Sequence, residues 1–62
     1  MKSVEITVTL TEAQAWEFAQ FLKRVSFGEY RDNATCEAEA YLMRDAGEII
    51  RSALAEKGYA PR

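Results

Sequence analysis

The sequence predicts an α+β domain in which a short N-terminal β-strand is followed by two α-helices. Polar and apolar residues alternate over residues 3–10, which is the period of a half-buried strand. Apolar residues then recur with helical spacing over about residues 12–25 and again over about residues 34–57. A chain of 62 residues has room for one domain, so residues 1–62 are predicted to form a single unit.

The predicted strand has one apolar face, formed by Val4, Ile6, Val8 and Leu10. A single strand cannot satisfy its own backbone hydrogen-bonding groups, and the sequence offers no second strand. We therefore expect this strand to pair with its twin in a second chain. A core this small usually needs a disulfide, a metal or a partner chain. The chain has one cysteine and no histidine, so a homodimer is the favoured solution.

The first helix is predicted to begin at a capping box, Thr11-x-x-Gln14, directly after the strand. Trp16 lies at the edge of its apolar face, where it is either half-buried or held for a partner. Residues 26–33 are rich in turn-forming types and are predicted to be a turn. Cys36 follows this turn, and we expect it to be a small buried structural residue.

The second helix has an apolar stripe that includes Leu42 and Ile49. Gly47 inside this helix costs about 1 kcal/mol relative to alanine. It is either a tolerated glycine or a flat spot that another helix approaches closely, and the sequence leaves open whether the helix continues through it. Gly58 is predicted to take the left-handed position after the helix, with Tyr59 packing back.

The composition narrows the function. There is no histidine for acid–base work at neutral pH, which argues against an enzyme, and no cluster has the spacing of metal ligands, so neither a metal nor a cofactor is expected. No apolar run approaches a membrane span and no signal peptide is evident, so a cytoplasmic protein without membrane contact is expected. The formal net charge of −2 provides no global attraction to nucleic acid.

The order of strand, immediate helix, turn and second helix resembles the ribbon-helix-helix superfamily of small dimeric repressors and antitoxins, most closely over residues 4–25. The segments 38–48 and 58–62 also resemble small bacterial or phage-related proteins, a likeness that implies no function. In the ribbon-helix-helix family, a two-stranded ribbon from the dimer reads the major groove. The resemblance thus implies a transcription regulator that binds double-stranded DNA.

Carried over by position, the resemblance implies two sets of residues. The ribbon would present its outward side chains to DNA, and the start of the second helix would anchor a phosphate; the DNA-binding residues would be Lys2, Ser3, Glu5, Thr7, Thr9, Asn33 and Thr35. The dimer core would include Val4, Ile6, Val8, Leu10, Phe18, Leu22, Leu42 and Ile49. Two features depart from the family, since Glu5 repels phosphate and acidic residues crowd the start of the second helix.

The aromatic residues indicate a second possible function, which is binding to another protein. Aromatic side chains are favoured anchors of protein interfaces, and Trp16 has Phe27, Tyr30 and Tyr59 as further candidates. The alternative is therefore an acidic homodimeric protein-interaction module, a small inhibitor or adaptor that does not bind DNA. The predicted protein-interface residues are Val4, Ile6, Val8, Leu42 and Ile49 for the homodimer, and Trp16 with the neighbouring aromatic residues for a partner protein.

Overall fold

The computed structural model describes residues 2–62, and this range contains three α-helices: α1 (Glu12–Arg24), α2 (Phe27–Asp32) and α3 (Glu37–Glu56). No residue between 2 and 62 belongs to a β-strand. The predicted α+β class and the ribbon-helix-helix resemblance are therefore wrong, and the fold is all-helical.

Residues 2–10, which we call the N-terminal arm, are the part that the sequence predicted as a strand. The arm has neither helix nor strand, and all of its side chains are exposed. The alternation of residue types is real, but a β-strand requires a second strand to accept its hydrogen bonds. The described part of the chain provides no second strand. The arm therefore has the alternating sequence of a β-strand without forming one.

Helix α1 begins as the sequence predicts. Thr11 Oγ1 accepts a hydrogen bond from the Gln14 amide at 3.0 Å, and Gln14 Oε1 accepts one from the Thr11 amide at 3.0 Å. This reciprocal pair confirms the predicted capping box. The helix ends at Arg24, one residue earlier than predicted, because Val25 already has extended backbone angles.

Helix α2 replaces the predicted turn. Asn33 Nδ2 donates a hydrogen bond to the Glu29 carbonyl at 2.8 Å at its C-terminal end. At the other end the Ser26 hydroxyl donates to the Glu29 carboxylate at 3.3 Å. Ser26-x-x-Glu29 has the spacing of a capping box, which could have indicated the helix from the sequence, but the side chain of Ser26 makes no cap hydrogen bond to the backbone.

Helix α3 runs without interruption through Gly47, which settles the question of its continuity. A Cβ atom at Gly47 would overlap the Tyr30 hydroxyl oxygen and lie 3.6 Å from Leu22 Cδ2. The flat surface at Gly47 is thus used by side chains of α1 and α2. The helix begins at Glu37, later than the predicted residue 34, because α2 and its cap occupy the preceding segment.

The buried apolar core of the described chain is very small. It consists of three alanines and one leucine: Ala15, Ala19, Leu22 and Ala40. Alanine lets helices approach closely but contributes little buried apolar area. The helices are therefore held together by a thin layer of contacts, and most of the large apolar side chains lie outside it.

Gly58 ends α3 in the predicted left-handed region, with φ of +99°. The Tyr59 amide donates to the Leu54 carbonyl at 2.9 Å and the Gly58 amide to the Ala55 carbonyl at 3.0 Å, which is the hydrogen-bond pattern of a Schellman motif. The motif turns Tyr59 back toward α1, where its ring meets Trp16 edge-on at 6.2 Å between centroids.

Replacing Gly58 with alanine should cost about 1 kcal/mol, because a residue with a Cβ is strained at this positive φ. Urea unfolding should show this loss, and the fluorescence of Trp16, the single tryptophan, should shift as Tyr59 is displaced. Lys57→Ala is the control, since Lys57 has a negative φ. Equal stability of the Gly58→Ala variant and the wild type would contradict the assigned role of the motif.

Candidate interaction surfaces

The N-terminal arm exposes a row of apolar side chains. Val4 is 87% exposed, Ile6 70% and Val8 68%. No backbone hydrogen bond joins residues 2–10 to another residue of the described chain. The arm therefore combines unpaired backbone groups with alternating apolar side chains, both of which a partner could bind.

A second apolar surface lies on the side of α3 that points away from α1 and α2. We call this surface the outer stripe, and it consists of Leu42, Ala46, Ile49 and Ala53, all exposed. Leu42 is 70% and Ile49 71% exposed. The opposite, inward face is formed by Ala40 and Gly47. The sequence predicts one apolar stripe that includes Leu42 and Ile49, whereas in the structure both residues lie on the side of α3 opposite its buried residues Ala40 and Gly47.

The apolar surface is widened at one edge of the helix pair. Phe18 and Phe21 of α1 stack with ring centroids 5.8 Å apart, and both are substantially exposed. Phe21 and Met43 line the same open depression between α1, α2 and α3. Phe18, Phe21 and Met43 therefore add further exposed apolar surface to the described chain.

The aromatic residues have different environments. Trp16 is 40% exposed, and because it packs against Tyr59 it already has a structural role within the chain. The Phe27 ring lies 4.6 Å from that of Tyr41, and the Arg44 guanidinium sits over the Tyr41 ring at 5.1 Å. Trp16 is thus half-buried at the edge of α1, as the first of its two predicted alternatives states. A contact between Trp16 and a partner stays a prediction.

The side chains predicted to contact DNA are divided between two places. Lys2, Ser3, Glu5, Thr7 and Thr9 all lie on the arm and are exposed. Asn33 lies at the end of α2, where its amide is used to cap that helix. The two-stranded ribbon that would have presented the arm residues to a DNA groove does not exist in residues 2–62.

The predicted phosphate anchor before α3 is occupied by a carboxylate of the same chain. Glu39 Oε1 accepts a hydrogen bond from the Thr35 amide at 3.1 Å. Hydrogen bonds from the Thr35 side chain and amide hold the pKa of the Glu39 carboxyl below its usual value. This amide therefore faces a negative charge, and a phosphate would have to displace it.

Other kinds of site find little support in the described residues. Cys36 is exposed at the start of α3, contrary to the prediction of a buried residue, because α2 leaves the loop before α3 at the surface. No group of three or more acidic, cysteine or histidine side chains is arranged to hold a metal within residues 2–62. In the same range, no helix has the length and apolarity required to cross a membrane.

Comparison with known proteins places the chain in a family. Residues 1–62 match the model described as Family of unknown function (DUF7706), which covers the whole sequence, so the chain belongs to this family. No curated protein and no solved structure matches it. The family description names no ribbon-helix-helix relationship and carries no DNA-binding assignment.

Proposed function

We propose that this member of the family is a small acidic protein-interaction module that binds a partner protein through its N-terminal arm. The observation that carries the proposal is the exposed row of Val4, Ile6 and Val8 on a segment without backbone hydrogen bonds. Contiguous exposed apolar surface on a small protein is typical of an interaction site. The large exposed apolar side chains outside the arm belong to helices, whereas Val4, Ile6 and Val8 lie on a segment that has no secondary structure.

The pattern of the arm favours recognition by strand addition. In this mode, a peptide lies along the open edge of a partner's sheet, main-chain hydrogen bonds provide affinity, and alternate side chains enter pockets. The seven residues from Val4 to Leu10 would span about 23 Å as a strand. The capping box fixes the C-terminal end of the arm to α1, so the arm has a defined point of origin on the helical body.

The prediction of DNA binding depended on a two-stranded ribbon and on an open anion site before the last helix. The ribbon is absent from residues 2–62, and the arm carries Glu5 as well as Lys2. The amide before α3 faces Glu39 rather than an open anion site. The chain as a whole has a formal net charge of −2, which provides no long-range attraction to phosphate.

The arm can be tested with two variants that change opposite sides of it. Val4→Ser/Ile6→Ser/Val8→Ser removes the apolar row, and Thr7→Ala/Thr9→Ala changes the polar side and is the matched control. We expect a partner that co-purifies from the source cells with the wild type to be retained by the threonine variant. Binding of this partner, once it has been purified separately, should weaken about 100-fold or more in the apolar-row variant.

The result must be accompanied by evidence that the helical body is intact. Because the arm does not pack on the helices, the circular dichroism of both variants should match the wild type. Equal affinity of the partner for the wild type and the apolar-row variant would refute the proposed role of the arm. Specific, salt-weakened binding to a DNA sequence that depends on Thr7 and Thr9 would refute the protein-interaction function itself.

A further inference from the structure

The outer stripe has the spacing of a helix-pairing surface. Leu42, Ala46, Ile49 and Ala53 follow one another at intervals of four, three and four residues, which is the alternation of core positions in paired helices. We propose that this stripe packs against the outer stripe of a second copy of the chain, with the two α3 helices antiparallel. The inference concerns a surface other than the arm and does not depend on the proposed function.

One protomer exposes more area than a compact monomer of its mass. The chain exposes 5293 Å², whereas a folded monomer of its mass exposes about 4,000 Å². The difference exceeds the roughly 800 Å² per partner that a standard interface buries. The exposed arm accounts for part of the difference, and the exposed side chains of the outer stripe, with Leu42 at 70% and Ile49 at 71%, account for another part.

The size of the side chains selects a second copy in antiparallel orientation. A two-fold axis near the middle of the stripe places Ile49 opposite Ala46 of the other copy and Leu42 opposite Ala53 of the other copy. Each large side chain then meets a small one, so the helices can approach closely without leaving voids. In parallel orientation, Ile49 would meet Ile49 and Ala46 would meet Ala46, and the spacing would alternate between too tight and too loose.

Electrostatics favours the same orientation. Asp45 borders the stripe and is exposed, with Arg44 as its nearest counter-charge at 3.1 Å. In antiparallel orientation each Asp45 lies near Ser52 of the other copy, and the two helix dipoles oppose each other favourably.

The first test is the molar mass in solution by light scattering and by sedimentation velocity. The wild type should have twice the mass of the chain at micromolar concentrations. Ile49→Glu should raise the dissociation constant about 100-fold or more, because each dimer would bury two carboxylates. Ala55→Glu adds the same charge to an exposed position on another side of α3 and should leave the dimer intact.

A charge-pair variant tests the antiparallel orientation. It also shows whether a loss of dimer in the single variants comes from the interface or from misfolding. Ala46→Lys alone should weaken the dimer, as Ile49→Glu does. The double variant Ala46→Lys/Ile49→Glu should regain the dimer mass and full helicity, because antiparallel pairing places each lysine opposite a glutamate. In parallel pairing the lysines would face each other and no recovery would occur.

Three results would overturn the inference. They are a wild type that remains monomeric at high micromolar concentration, an Ile49→Glu variant as dimeric as Ala55→Glu, and a double variant without recovery. The arm provides a separate readout, since removal of its apolar row should leave the dimer mass unchanged. A failure of the arm proposal is thereby distinguished from a failure of this one.

Discussion

A chain in which Leu22 is replaced by alanine should be largely unfolded at room temperature. Leu22 is 4% exposed and is the one large side chain among the buried apolar residues of the described chain. Truncation of a buried leucine costs about 2–5 kcal/mol, while a core of this size supplies about 3–5 kcal/mol in total. Far-ultraviolet circular dichroism and urea titration, at one fixed protein concentration, measure the loss.

Leu10→Ala is the matched control for this experiment. Leu10 lies at the base of the arm and is 43% exposed, so its truncation should cost at most about 1 kcal/mol. The concentration is fixed because association adds to the apparent stability of the protomer. If both variants unfolded at the same urea concentration, the core would not be centred on Leu22.

Gly47→Ala should destabilise the chain even though alanine is the better helix former. The added methyl group improves helix propensity by about 1 kcal/mol. It would, however, overlap the Tyr30 hydroxyl oxygen and lie 3.2 Å from Tyr30 Cζ, and overpacking of this kind costs about 1–3 kcal/mol. We expect a net loss of about 1 kcal/mol by urea unfolding, the overpacking cost reduced by the gain in propensity.

Two further variants separate the steric effect from propensity. Gly28→Ala places a methyl group 3.7 Å from Ser26 Oγ in otherwise open space, so it should be neutral or stabilising. Tyr30→Phe removes the hydroxyl group that meets the new methyl group, and it should restore part of the stability lost in Gly47→Ala. A Gly47→Ala variant more stable than the wild type would show that Tyr30 moves away freely.

Local features of this chain could be predicted from its sequence because they depend on residues close together. The capping box of Thr11 and Gln14, the left-handed Gly58 and the two long helices within a few residues of their ends are all determined by short-range hydrogen bonds and apolar periodicity. The same kind of signal at Ser26 and Glu29 marks α2, although the glycine and the polar residues around it favoured a turn.

The fold class and the candidate surfaces required the tertiary structure. Alternation in the arm specifies a strand only if another strand accepts its hydrogen bonds, and none does so within residues 2–62. In α3, periodicity shows that apolar residues lie on one broad side but not which of them meet α1 and α2. Tyr30 and Leu22 pack at Gly47 and thereby fix the inward face, so Leu42 and Ile49 are left outside. Burial is decided by which elements meet, and a one-dimensional pattern does not contain that information.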